Sequence, residues 1–387
     1  MKVLRYTAAL VAAALILSAC GSSSSSSSTP SSTEAASSGG STSSAATGSS
    51  ASSASAPQAP TTPPTTIQVS TPLSKTPPAG KKLIALICQL PSCSRYENGI
   101  KSAAAALKWN VQFMTLNNSN PAASLTEAVS QKPDYIFLSG IPTSVLKTPL
   151  AQAHSAGIPI ISAADPDHAS ASGYAAQIGG TLVPDAQNVA HWIISNSGGK
   201  ATVVAMSIPQ FPVLVGETTW FKDNFTKQCP GCKYDELDVT TADVGAGKTP
   251  ALLTAYLQSH PGTNYVFFTF ADLAVTVPPV LKRSGFSSVK LTGCCGDATL
   301  GKQIADGKQA AWTIAPNEYS GYTAVDAMAR LSVGMPLTTT YLNSIFPSPS
   351  WVVDSPASAN QYLKPNGYDW FGPTGYEQQY QKLWQVG

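Results

Sequence analysis

The sequence predicts an α/β protein of two lobes, each a parallel sheet covered by helices on both faces. Three observations carry this prediction. Apolar runs of strand length alternate with stretches of helical spacing about ten times after residue 81. Such alternation forces parallel sheets, because a parallel strand pair needs a crossover that a helix usually supplies. Several of the runs are apolar throughout, as expected of strands buried on both faces. Finally, roughly 300 residues are too many for one compact core and comfortable for two lobes.

The elements follow in order. Residues 82–88 form a continuous apolar run and read as the first strand. Helical spacing follows over 94–109, then a strand at 111–116 and a helix at 121–130 with Pro121 at its start, where proline is tolerated. Residues 134–139 make the third strand, 146–156 the next helix, and 158–162 the fourth strand after Gly157. The pattern then restarts. Helices are expected at 185–196, 216–228, 250–259, 274–283, 297–305 and 319–333, and strands at 201–206, 234–240, 265–270, 289–293 and 310–315.

The beginning of the chain is different. A basic start (Lys2, Arg5) precedes an apolar run from Thr7 to Leu17, far short of the ~20 residues that span a bilayer. Small residues then lead directly into Cys20. The pattern resembles a bacterial lipobox, which implies a signal peptide over 1–19, cleavage before Cys20 and lipidation of its thiol. The chain is then expected at the outer face of the cytoplasmic membrane, touching it only through the lipid anchor. Residues 20–80 are mostly Ser, Thr, Ala, Pro and Gly, with Glu34 and Lys75 the charges. Such a stretch buries too little apolar surface to offset ordering entropy, so a disordered tether is expected.

Charge excludes one class of partner. Without Lys2 and Arg5 the mature chain carries 21 basic and 21 acidic residues, from totals of 23 and 21. A neutral chain has no electrostatic reason to bind nucleic acid.

At this point the folded part resembles a type I periplasmic binding protein of the ribose- and galactose-binding kind. Residues 82–99 match the opening strand, ligand loop and first helix. Residues 156–161 match the family's Ala-Gly-Ile-Pro stretch, and 285–307, with Gly293, Gly296, Asp306 and Gly307, match the late strand and following helix. Residues 375–384 resemble a terminal helix common in secreted binding proteins. The resemblance implies two Rossmann-like lobes joined by a three-segment hinge near 179–184, 294–297 and 316–318. The first lobe would hold 81–180 with 296–316, and the second 181–295 with 317–340. Residues 341–387 would be a C-terminal extension. It further implies a monomeric substrate-binding lipoprotein of an ABC importer, which passes a small molecule to a membrane permease and is not an enzyme. A sensory lipoprotein that presents its ligand to a membrane kinase or chemoreceptor is the alternative. Cytoplasmic repressors share the fold but carry a DNA-binding helix-turn-helix where this chain has a secretion signal.

Ligands of open parallel sheets bind beyond the carboxyl ends of the strands. The candidate ligand-binding residues are therefore Arg95, Tyr96, Ser139, Gly140 and Asp165 in the first lobe. Gln210, Phe211, Phe270, Asp272, Cys294 and Asp297 are their counterparts in the second, with Asn317 at the last crossover. The pentose-binding pattern has an Asp-Arg pair where this chain has Ala164 and Asp165, an Asp where it has Cys295, and an Arg in the region of Pro209, Gln210 and Phe211. A less hydroxylated or more apolar solute is therefore a rival to a simple sugar.

Six cysteines remain beside Cys20, and six allow fifteen connectivities. Proximity favours Cys88–Cys93 and Cys229–Cys232, with a strained Cys294–Cys295 bridge left open. A zinc site from Cys229, Cys232, Cys294 and Cys295 is disfavoured, because the first pair ends a helix at the far edge and the second ends a strand at the cleft edge. No metal or cofactor is expected. Residues 245–249 look like part of a phosphate loop, but the glycine the motif needs is Ala242. His154, His168, His191 and His260 are scattered, and no nucleophile elbow or zinc-protease motif occurs.

Overall fold

The structure is a computed structural model and describes residues 57–88, 91–117, 119–165 and 173–387. The expected signal peptide, the lipidated Cys20 and the tether as far as residue 56 lie outside the described residues. Among the described residues no helix is long and apolar enough to cross a membrane.

Two sheets organise the rest. The first has the order β2-β1-β3-β4-β5 and is parallel throughout. Its strands are β1 (Lys82–Ile87), β2 (Asn110–Thr115), β3 (Tyr135–Ser139), β4 (Ile160–Ala163) and β5 (Ala176–Ile178). The second has the order β11-β10-β9-β8-β6-β7. It is built from β6 (Thr202–Ser207), β7 (Lys233–Asp238), β8 (Tyr265–Phe268), β9 (Lys290–Gly296), β10 (Ala311–Ile314) and an antiparallel edge, β11 (Val352–Val353). Without β11 the two sheets share one strand order, so the chain repeats one topology twice.

Position in the sheet explains strand composition. The central β1, β3 and β8 are apolar and buried along nearly their whole length. The edge strands β2 and β7 are half-exposed and carry polar residues between apolar ones. β5 and β11 have only three and two residues, too few to show a period.

The structure corrects the expected lobe boundaries. Residues 296–316 belong to the second lobe, because β10 pairs with β9 as the fifth parallel strand of that sheet. The chain then returns to the first lobe. Helix Asn317–Ser332 packs on helix Pro91–Ala106, where a Cβ on Gly99 would stand 2.0 Å from the Glu318 carbonyl oxygen. Glycine is required there because the two backbones touch. The chain crosses twice more, near 346–350, where Gly180 N–H donates to Phe346 O (2.7 Å), and near 371, where Tyr319 N–H donates to Phe371 O (3.1 Å).

A second correction concerns the end of the tether. Residues 57–80 are ordered and packed, not free coil. Val69 and Leu73 are buried in the first lobe's core, and Leu73 N–H donates to Leu383 O at 2.8 Å. The Arg330 guanidinium and the Trp109 indole donate to the carbonyls of Thr71 and Pro78, each at 2.9 Å. Farther up, Val352 N–H of β11 donates to Pro60 O (2.8 Å), so the strap reaches both lobes. A few apolar side chains and the free carbonyls of an extended proline-rich backbone suffice to hold it.

The strap, helix 317–332, helix Thr339–Ile345 and the terminal helix Tyr376–Trp384 meet at one buried ion pair. Arg330 Nε lies 2.8 Å from Asp326 Oδ2, with both side chains nearly inaccessible. Tyr341 Oη and Trp384 Nε1 each donate to the same carboxylate at 2.8 Å. The expected terminal helix is therefore part of the first lobe's core.

Candidate functional site

The two lobes meet at the Arg95–Asp369 ion pair, and the candidate residues distribute around it unequally. Arg95 and Tyr96 lie in the first turns of helix 91–106, above the end of β1. The Arg95 guanidinium is buried and pairs with Asp369 at 2.8 Å, and it also donates to Trp370 O at 3.1 Å. Its Nε has no partner. Asp369 and Trp370 come from the C-terminal extension, and Trp370 packs in the second lobe's core. This ion pair thus ties the two lobes together.

Asp369 sits in a cluster of like charge. Burial pushes its carboxyl up to about 6; Arg95 pulls it down, and Asp297 and Glu318 raise it further. Asp272 is raised by burial and then by Asp297. Asp297 thus acts on both Asp272 and Asp369, and of the three Asp369 alone is ion-paired to Arg95. Asp297 also caps helix Ala298–Ala305, its Oδ1 accepting from Leu300 N–H at 3.0 Å.

Tyr96 is buried, with its ring 5.7 Å from that of Phe137. Burial raises its phenol far above the ordinary value, and Cys295 and Arg95 act on it in opposite senses. Tyr96 of the first lobe thus lies close enough to Cys295 of the second for the two to interact electrostatically.

Cys295 stands at a bulge. Trp312 pairs with Gly293 and Ile314 with Gly296, so β9 holds one residue more than β10 over this step. Cys295 takes the extra position with φ 59°, a left-handed conformation uncommon outside glycine. The bulge places two successive side chains, Cys294 and Cys295, against one apolar cluster. Cys294 Sγ donates to Glu217 Oε1 at 2.6 Å and to Thr269 O at 3.4 Å. Both thiols are free, so the vicinal bridge left open by the sequence is absent. Adjacent α-carbons stand 3.80 Å apart, below the usual disulfide window. The other two pairs are bridged, Cys88–Cys93 with Cα atoms 5.6 Å apart and Cys229–Cys232 at 5.3 Å.

The remaining candidates lie at strand ends, turns and the return crossover. Ser139 ends β3, buried, with its Oγ 3.9 Å from Cys93 Sγ. Gly140 has φ 69° and donates its N–H to Ala163 O at 2.7 Å, turning the chain at the sheet edge. Asp165 is buried just beyond β4, and Asn317 is buried at the return crossover. Phe211 and Phe270 are half-buried and pack at the margin of the second core. Gln210 is exposed beside Phe211.

Sequence reasoning missed three acidic residues. Asp369 lies in a stretch without periodicity. Glu217 is fully buried in helix Pro212–Trp220, and its signal was a lone acid in an otherwise uncharged, largely apolar helix. Asp185 is buried in the first turn of helix Val183–Asn196, with Oδ1 accepting from Ser350 Oγ at 2.8 Å. Burial lifts its carboxyl to about 6.

Two sheets of one topology, joined by several chain crossings, define a bilobal α/β architecture. Residues 92–335 match the family model described as a periplasmic binding protein domain, and the chain belongs to that family. Solved structures agree on the fold. A sugar ABC transporter sugar-binding protein from Bacillus halodurans is 19% identical, with TM-score 0.62 over 73% of this chain and 100% of that one. A 5-methylthioribose transporter solute-binding protein from Thermotoga lettingae is 15% identical, with TM-score 0.63 over 82% of this chain and 99% of that one. An ABC transporter solute-binding protein from Agrobacterium vitis with bound allitol is 18% identical, with TM-score 0.61 over 73% and 97%. No curated protein matches the chain in sequence.

Proposed function

We propose that this chain is a lipid-anchored, extracytoplasmic solute-binding protein of an ABC importer that captures a sugar or polyol between its lobes. The observation that carries the proposal is the meeting of Arg95 and Tyr96 with Cys294–Asp297 and Asp369 across the cleft. Carboxylates such as Asp272 and Asp297 accept hydrogen bonds from hydroxyls, and half-buried rings such as Phe211 and Phe270 suit the apolar faces of a carbon skeleton. Structural relatives are named with 5-methylthioribose and allitol bound. Capture requires no chemistry: the solute stabilises the closed arrangement by binding it better than the open one. The chain works as a monomer, with residues 1–19 as signal, Cys20 as anchor, and a membrane permease as partner.

Thermal unfolding against a panel of pentoses, hexoses, polyols and 5-methylthioribose tests this. A ligand at 100 times its dissociation constant stabilises by about 2.7 kcal/mol. Tyr96→Ala and Asp297→Asn should remove most of that gain. A panel without any stabilising solute, or a hit unaffected by both substitutions, contradicts the assignment.

A further inference from the structure

We propose that Glu217, Cys294 and Cys295 form a binding site for a thiophilic divalent cation of the zinc class, with an open coordination position facing the cleft. The expectation from sequence was that no metal binds, and the ligand set weighed there drew on Cys229 and Cys232. Those two are now committed to a disulfide. Glu217, Cys294 and Cys295 are a different set, assembled by the β9 bulge.

An ordinary strand alternates its side chains, so two adjacent cysteines would point to opposite faces. The extra residue and the left-handed φ of 59° at Cys295 bring both thiols to one side. A non-glycine residue in that conformation is strained and persists where the surroundings enforce it. Glu217 approaches from helix 212–220. One carboxyl oxygen, one Sγ from Cys294 and one Sγ from Cys295 all lie within 4.8 Å of one another. Zinc bonds of ~2.3 Å to sulfur and ~2.1 Å to oxygen put tetrahedral ligands about 3.5–3.8 Å apart. The cluster needs to rearrange by an ångström or so to reach that geometry.

A second observation points to a ligand independently. Glu217 is fully buried, and its Oε2 has no hydrogen-bond partner. A buried carboxyl oxygen left without a partner is costly, and a bound cation would satisfy it. Sulfur ligands select zinc-like ions over magnesium or calcium, which take oxygen. Glu217 and Cys294 are inaccessible, while Cys295 is only half-buried. Entry and the open position are therefore on the Cys295 side. Three protein ligands with a fourth place free is the arrangement of sites that take an exogenous ligand. This proposal does not depend on which solute the cleft accepts.

The test is cobalt uptake by the full chain after chelator treatment and gentle reduction that leaves the two disulfides intact. One Co²⁺ per chain is expected, with a thiolate-to-cobalt charge-transfer band that one equivalent of Zn²⁺ abolishes. Zn²⁺ should also protect Cys294 and Cys295 from alkylation, as read by peptide mass. Cys295→Ser should abolish the band. Glu217→Gln, which keeps the side-chain shape, should weaken binding by about tenfold or more, at least the loss expected for an outer partner. Absence of stoichiometric uptake overturns the proposal. So does uptake unchanged in both variants, or a Cys294–Cys295 bridge that persists after the gentle reduction.

Discussion

Asp185→Asn should stabilise the protein at neutral pH and leave it unchanged in acid. Asp185 is buried in the wall of the second lobe, and burial lifts its carboxyl from 3.8 to about 6, against the hydrogen bond from Ser350. A folded-state value above the unfolded one means the native protein holds a proton that the unfolded chain has released. Between about pH 4 and pH 6 stability therefore falls as pH rises, by about 1.4 kcal/mol per pH unit from this group. Below pH 4 both states are protonated and the penalty is absent. Above pH 6 it is fully present, at most about 3 kcal/mol. Asparagine keeps the shape and the acceptor for Ser350 but cannot ionise. Urea unfolding from pH 4 to pH 7.5, in buffer with a chelator, should show the two proteins equal near pH 4. They should diverge through pH 6, with Asp185→Asn up to about 3 kcal/mol the more stable at pH 7. Glu217 is raised by burial in the same sense, so the variant retains part of the slope. A difference that is constant across this range, or a variant weaker at pH 7, would refute the reasoning.

Further substitutions probe the frame that holds the cleft. Gly99→Ala sets a Cβ 2.0 Å from a backbone carbonyl of helix 317–332. Forcing the helices apart costs typically 1–3 kcal/mol or more, which exceeds the gain of about 1 kcal/mol in helix propensity. Its urea midpoint should fall; an unchanged or raised midpoint refutes the contact. Asp326→Ala leaves the Arg330 guanidinium buried without its carboxylate, at a cost of about 3–5 kcal/mol in chemical unfolding. A loss below about 1 kcal/mol would show that the network with Tyr341 and Trp384 is not as described. Leu73→Ala should cost about 2–5 kcal/mol, because Leu73 is 2% exposed in the first core. A surface-like effect within about 0.5 kcal/mol would restore the view of residues 57–80 as free tether.

The fold was legible because apolar content tracks sheet position. Runs such as Lys82–Ile87 and Tyr265–Phe268 announce central strands, and Gly157 marks the end of the helix before β4. What failed was long-range placement. Nothing in the sequence of β10 says which sheet it joins, since its partners are chosen by β9 and β11. The strap was hidden because composition averages over a stretch in which a few residues, such as Ile67, Val69 and Leu73, carry the packing. At the candidate site, strand-end reasoning named Arg95, Tyr96 and Asp297 but could not see that Arg95 is already engaged by Asp369. Glu217 and Asp185 escaped because a lone acid on a helix reads as solvent-facing, and here the helices turn those positions inward.

The most direct test of the account is calorimetric titration of the full chain with the solute that most raises its unfolding temperature. The account predicts one site per chain, with the solute recovered chemically unchanged and binding strongly weakened by Tyr96→Ala. A solute that is consumed during the titration, or one that binds equally well without the Tyr96 ring, would contradict it.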